Sequence, residues 1–142
     1  MSQVEINKAV IQRYFEAYNT KNEVVFEEII DQDYIDHGQS AYMGAPGKGI
    51  EGAKNDRNSL NKLDELHYTV EELIASASYP DLVGAYWKGS LTSKMSSNDS
   101  DAHQTRRKID YRGISIYRLR NGKMLETWHV IDGLPAMNDS QV

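Results

Sequence analysis

Four side chains in two short stretches are of the types that move protons: Asp36 and His37 in Asp33-Tyr34-Ile35-Asp36-His37, and His129 and Asp132 near the end of the chain. Histidine has an ordinary pKa of about 6.5, so at neutral pH it can take a proton and give it back. Alternation along a strand sets His129 on one face with Leu125 and Ile131, and sets Met124, Trp128 and Val130 on the other. Asp132 could orient the imidazole if the strand turns there; on a straight strand the two side chains point to opposite faces, and a turn cap is its other reading. Asp36 and His37 are adjacent, so only one of them can face inward. The plainer alternatives are a hydrogen-bonded structural histidine for His129 and solvated loop residues for Asp36 and His37.

Other chemistries are excluded or weakly supported by residue type. The chain has no cysteine, which removes disulfides, thiolate metal sites and thiol nucleophiles together. No pair among Asp36, His37, His129 and Asp132 has a recognised metal-site spacing, so no metal is expected. Gly44-Ala45-Pro46-Gly47-Lys48-Gly49 superficially suggests a phosphate loop, but Tyr42 stands where that motif needs glycine and Gly49 where it needs Ser or Thr. A net charge of −5 opposes nucleic-acid backbones. Arg106-Arg107-Lys108 is a short basic cluster without stacking aromatics and reads as a solvated strand end. His67 alternates with Thr69 and Glu71 on a solvent face, and His103 sits in a polar loop. No segment has the apolar length of a membrane span and no leader pattern opens the chain, so a cytoplasmic location is expected.

The elements that must position these groups follow from periodicity. At 142 residues the chain is the size of one domain, 1–142, with room for a core that needs no staple. Ser2 and Glu5 form a capping box, and Ile6, Ala9, Val10, Tyr14, Ala17 and Tyr18 recur at helical spacing to about Asn19. Asn22 can cap a second, short helix with Val25, Phe26, Ile29 and Ile30 on its apolar face. The glycine-rich stretch 44–52 reads as a loop, and 50–63 as a third helix weakened by Gly52. Leu66, Tyr68 and Val70 alternate as a strand, 82–92 follows as another, and the serine-rich 96–101 reads as a hairpin loop. Asn121-Gly122 between the apolar runs 108–119 and 124–131 is a strong two-residue hairpin signal. Helices precede strands, which marks an α+β fold. Both faces of the last strand carry large apolar groups, so both must be covered: one by the helices, the other by a second copy in a homodimer. Tyr14, Tyr18, Trp87 and Tyr111 could line an apolar pocket, although aromatic residues at such spacing are more often plain core.

Three segments together carry a resemblance. Tyr14-Phe15-Glu16-Ala17-Tyr18-Asn19-Thr20, Asp33-Tyr34-Ile35-Asp36-His37 and Ile116 through Trp128 resemble SnoaL-like polyketide cyclases and ester cyclases, of the nuclear transport factor 2-like superfamily. The match runs from about Asn7 to Asp132. It implies a cone, with three N-terminal helices packed on a curved, mostly antiparallel sheet: a cystatin-like α+β barrel.

In that family a carboxylate on the last strand removes a proton α to a carbonyl before intramolecular aldol closure. Gly122, Lys123, Met124, Glu126 and Trp128 fit the family strand, but His129 stands where its catalytic aspartate belongs. The resemblance therefore implies His129 as base, with Asp132 or Asp36 as catalytic partner. Substrate would be bound by His37, which matches a histidine common in ester cyclases, and by Tyr14, Tyr18, Trp87 and Tyr111. The substrate would be a hydrophobic carbonyl or ester compound, and no cofactor is implied. The same superfamily holds epoxide hydrolases, ketosteroid isomerases and non-catalytic binding domains, which stand as the alternatives.

Overall fold

The computed structural model describes residues 1–38, 49–54, 64–94 and 106–133. Helix α1 spans Gln3–Thr20 and starts as expected, with the Ser2 hydroxyl accepting the Glu5 N–H at 3.2 Å. Its end is a Schellman turn. Lys21 adopts the left-handed conformation (φ 55°) while Lys21 N–H reaches the Tyr18 carbonyl and Asn22 N–H reaches that of Ala17. The buried stripe differs from the expected one: Asn7, Val10, Ile11, Phe15, Ala17 and Tyr18 face the core, while Ile6 and Ala9 are exposed. Asn7 explains the rotation, because its amide donates to the Pro80 carbonyl at 2.6 Å and so draws that side of the helix onto the sheet.

Helix α2 (Glu23–Ile29) buries Phe26 and Ile29 and runs directly into strand β1 (Ile30–Asp36). Asn22 holds the N-cap position, but its side chain makes no capping bond. Residues 49–54 are helical, so helix begins inside the stretch read as loop, and Lys54 ties it to Glu27 at 2.6 Å. The rest of the expected third helix, 55–63, and the expected hairpin loop 96–101 lie outside the described residues.

Strands β2 (Asp64–Ser76), β3 (Tyr79–Lys94), β4 (Arg106–Arg120) and β5 (Lys123–Asp132) form an antiparallel meander. The sheet order is β1-β5-β4-β3-β2, with β1 parallel to β5 at the edge. The β4–β5 turn is the expected one: Asn121 (φ 53°) and Gly122 (φ 75°) are both left-handed, which matches the twist of the flanking strands. Arg107 and Lys108 are exposed at the start of β4, and His67 is exposed on β2, as expected.

The inner face of the sheet packs on α1 and holds the aromatic core. Large rings fit there because they lie over glycines. Trp87 faces Gly113 across the β3–β4 ladder and Tyr111 faces Gly89. A Cβ on Gly113 would stand 2.2 Å from the Trp87 ring, and one on Gly89 would stand 2.6 Å from that of Tyr111. Gly113→Ala is therefore expected to destabilise the fold by about 2 kcal/mol through overpacking. Urea unfolding in a Trp128→Phe background, followed by Trp87 fluorescence, checks this; an unchanged midpoint and spectrum would refute the contact.

Candidate functional site

The site is built where β1 meets β5. Asp36 pairs with Thr127, and the His37 N–H closes the last rung on the Thr127 carbonyl at 2.8 Å. On β5 the register with β4 slips by one residue, since Leu119 pairs with Met124 but Arg118 with Glu126, which leaves Leu125 as the extra residue of a bulge. Strict alternation along the sequence grouped Met124 with Trp128 and Val130. The bulge instead turns Met124 inward, fully buried, while Trp128 and Val130 remain on the outer face. His129 keeps its expected inward direction and lies opposite Ser115 of β4.

Inside, His129 and Asp36 come together. His129 Nε2 stands 3.6 Å from Asp36 Oδ1, and their side chains are 14% and 9% exposed. That separation is just beyond a hydrogen bond and within the range of an ion pair. Asp36 Oδ1 also accepts the Gly38 N–H at 2.9 Å. Next along the same inner row, Tyr34 and Thr127 share a hydroxyl hydrogen bond of 2.8 Å. Ser115 Oγ accepts the Trp87 indole N–H at 2.8 Å, and Tyr117 lies opposite Thr127. A band of hydroxyls therefore borders the imidazole–carboxylate pair.

The remaining expected residues divide by face. Tyr14, Tyr18, Trp87 and Tyr111 all lie in the interior, packed edge-to-face on one another or on Phe15, Phe26 and Tyr68. Tyr111 donates to the Tyr68 hydroxyl at 2.9 Å. His37 is not brought to this corner: with Asp36 inward, alternation sends it to the outer face, where it stacks on Trp128 at 4.8 Å between ring centroids and lies 3.7 Å from Glu126 Oε2. Asp132 also lies on the outer face. The strand stays in register through Arg112↔Asp132, so its carboxylate is exposed on the outer face and paired with Arg112 at 3.2 Å. Among the described residues no cluster of His, Asp and Glu could hold a metal ion.

Sequence reasoning missed Tyr34, Gly38, Ser115, Tyr117 and Thr127. Tyr34 lies two residues before Asp36, and Thr127 two before His129, so alternation alone could have found them. Ser115 and Tyr117 needed the register of β4 against β5.

Comparison with known proteins bears on the same fold. A family model described as SnoaL-like polyketide cyclase matches residues 8–140. No curated protein sequence matches the chain. Among solved structures, IdmH of Streptomyces antibioticus is similar at 20% identity and a TM-score of 0.73, covering 92% of this chain and 95% of that one. Bal32a, from a soil-derived mobile gene cassette, is similar at 13% identity and a TM-score of 0.76, covering 99% and 100%. A SnoaL-like polyketide cyclase of Agrobacterium tumefaciens is similar at 16% identity and a TM-score of 0.67, covering 89% and 91%.

The interior phenols are held in their neutral, hydrogen-bond-donating form. Burial raises Tyr14, Tyr34, Tyr111 and Tyr117 well above the usual tyrosine value and pushes Tyr68 up to about 12 against the Tyr111 hydrogen bond. A pKa raised in the folded state gives stability that is fully present below the unfolded value of about 10 and is lost as pH rises through the folded one. Urea unfolding measured across pH 9 to 12 is therefore expected to show stability falling from about pH 10 upward. A flat profile would mean that these phenols are not buried.

Proposed function

The chain belongs to the SnoaL-like polyketide cyclase family, and on that premise we propose that it closes a ring in a hydrophobic carbonyl compound of the polyketide ester class by an intramolecular aldol step. The observation that carries the reading is the inward His129 imidazole with the Asp36 carboxylate 3.6 Å away, at the edge of an aromatic interior.

The step balances without a cofactor. The His129 imidazole takes a proton from the carbon α to a carbonyl, and the resulting enolate carbon attacks a second carbonyl of the same molecule. One carbon–carbon bond forms, and the new alkoxide takes the proton back from the imidazolium. Asp36 stabilises the imidazolium in between, since an anion beside a cation in a water-poor site interacts more strongly than it would in water. The neutral interior phenols suit the other requirement, donation to the developing enolate oxygen. Trp87 and the tyrosines supply flat apolar walls that favour a polycyclic product and exclude water. We place this chemistry in the cytoplasm, on a small hydrophobic partner and away from nucleic acid or membrane surfaces.

We also propose a homodimer through the outer sheet face. Two adjacent rows of the ladder, Ile74-Gly84-Ile116-Trp128 and Glu72-Tyr86-Ile114-Val130, set apolar side chains side by side. Ile74, Ile114 and Val130 are 68%, 61% and 76% exposed, a contiguous apolar surface of the kind that marks an interface.

His129→Ala is expected to lower turnover by about 10²–10⁴-fold, the usual contribution of a general base, with little change in melting temperature. Asp36→Asn is expected to lower turnover by less. The assay follows loss of a linear polyketide ester by mass spectrometry. A product isomeric with the substrate, or lighter by one water, supports cyclisation, whereas one heavier by a water indicates a hydrolase. Binding without turnover indicates a carrier domain, and full activity in His129→Ala would remove the base from the mechanism. For the dimer, sedimentation of Val130→Asp with Ile114→Asp is expected to give monomers where the parent chain gives dimers; a monomeric parent chain would refute the interface.

A further inference from the structure

Gly38 sits in the same corner and has no part in the chemistry above. Immediately after the last β1–β5 rung, its N–H turns back to Asp36 Oδ1 at 2.9 Å, which lays the backbone across β5. The Gly38 Cα lies close against the imidazole. A Cβ on Gly38 would stand 2.1 Å from His129 Cδ2 and 2.3 Å from Nε2. Gly38 is not among the left-handed residues, so space rather than backbone conformation calls for glycine here.

The two contacts fall on the same edge of the ring. Backbone blocks the Cδ2–Nε2 edge from swinging outward, and the Asp36 carboxylate faces that edge at Nε2. A neutral imidazole carries one N–H, and the nitrogen facing a carboxylate is the one that keeps it. The lone pair is then left on Nδ1.

We infer that Gly38 is a positioning residue for the His129–Asp36 pair: its bare backbone pins the imidazole with Nε2–H toward the carboxylate and leaves Nδ1 as the proton-accepting atom. The functional consequence rests on the reading of His129 as base, but the positioning does not. Loss of turnover in an otherwise correct enzyme and loss of the ring's fixed orientation are separate observations.

The test uses the full-length chain. Long-range ¹⁵N NMR of the histidine rings is expected to show His129, when neutral, as one tautomer with a pyrrole-type Nε2 and a pyridine-type Nδ1. Exposed His67 provides the averaged reference. Gly38→Ala is expected to shift the His129 ring signals and abolish the single-tautomer pattern while leaving His67 untouched. The second measurement is a double-mutant cycle in urea. Gly38→Ala should lower the unfolding midpoint in the parent chain but barely change it in a His129→Ala background, where the methyl group occupies space the ring has vacated. If Gly38→Ala alone does not fold, recovery of folding in the double variant supports the contact. Unchanged ring signals in Gly38→Ala, a proton on Nδ1, or an equal cost in both backgrounds would each overturn the inference.

Discussion

Everything that distinguishes the interior corner depends on the parallel pairing of β1 with β5. A parallel neighbour cannot be reached by a tight turn, so the chain must leave the sheet and return. Here the whole meander intervenes, and the Tyr34–Thr127 hydrogen bond closes a gap of 93 residues. That edge is held by more than backbone rungs. Arg120, at the end of β4, reaches across to Asp31 and Asp33 of β1, both at 2.9 Å. Burial raises the Asp31 carboxyl, but the Asp33 N–H and the Arg120 guanidinium outweigh it and keep Asp31 ionised below the usual range. Without this docking Asp36 would be a solvated carboxylate and His129 an isolated buried imidazole.

The second constraint is volume. An interior lined by Tyr14, Phe15, Tyr18, Phe26, Tyr34, Tyr68, Trp87, Tyr111 and Tyr117 can close under the helices only if the sheet yields space elsewhere. It does so at Gly89 and Gly113, each directly under the ring of its ladder partner. The same exchange of small for large recurs at Gly38 and His129. Rings seated this way lose little on ordering, because two torsions fix an aromatic side chain and the flat backbone below leaves few alternatives.

Much of this arrangement could be read from the sequence, and the failures have physical causes. The Asn121-Gly122 hairpin, the Ser2 cap and the helix-then-strand order are local properties, and local rules found them; alternation set His129 apart from Trp128 and Val130, and the family resemblance supplied its inward direction. The bulge at Leu125 is not local: it is a slip of β5 against β4, and it changed the face of Met124 while leaving that of His129 unchanged. Asp132 was left open between a turn and a straight strand, and only the ladder, which holds to that residue, decides for the straight strand. Asp36 and His37 were correctly seen as a pair of which one faces inward. Choosing between them needed the register of β1 against a strand some ninety residues away. The α1 stripe was rotated by Asn7, a polar residue that no hydrophobic pattern would have placed in the core.

The alternation of β5 gives the strand two separate duties. Its inner residues Thr127 and His129 belong to the polar corner, while its outer residues Glu126, Trp128 and Val130 belong to the opposite surface. On that outer side Trp128 touches both the His37 imidazole and the Arg118 guanidinium, with Arg118 in turn paired to Asp81 at 2.6 Å. The ordered outer cluster restrains the strand from behind. A substitution at Trp128 would therefore act on the inner pair only through the backbone that both share. The carboxylate and the imidazole reach each other from two strands whose pairing is a single parallel edge, and edges are where a sheet opens first. The integrity of the corner is thus set by the docking of β1, and the stability of the whole meander bears on it only through β5.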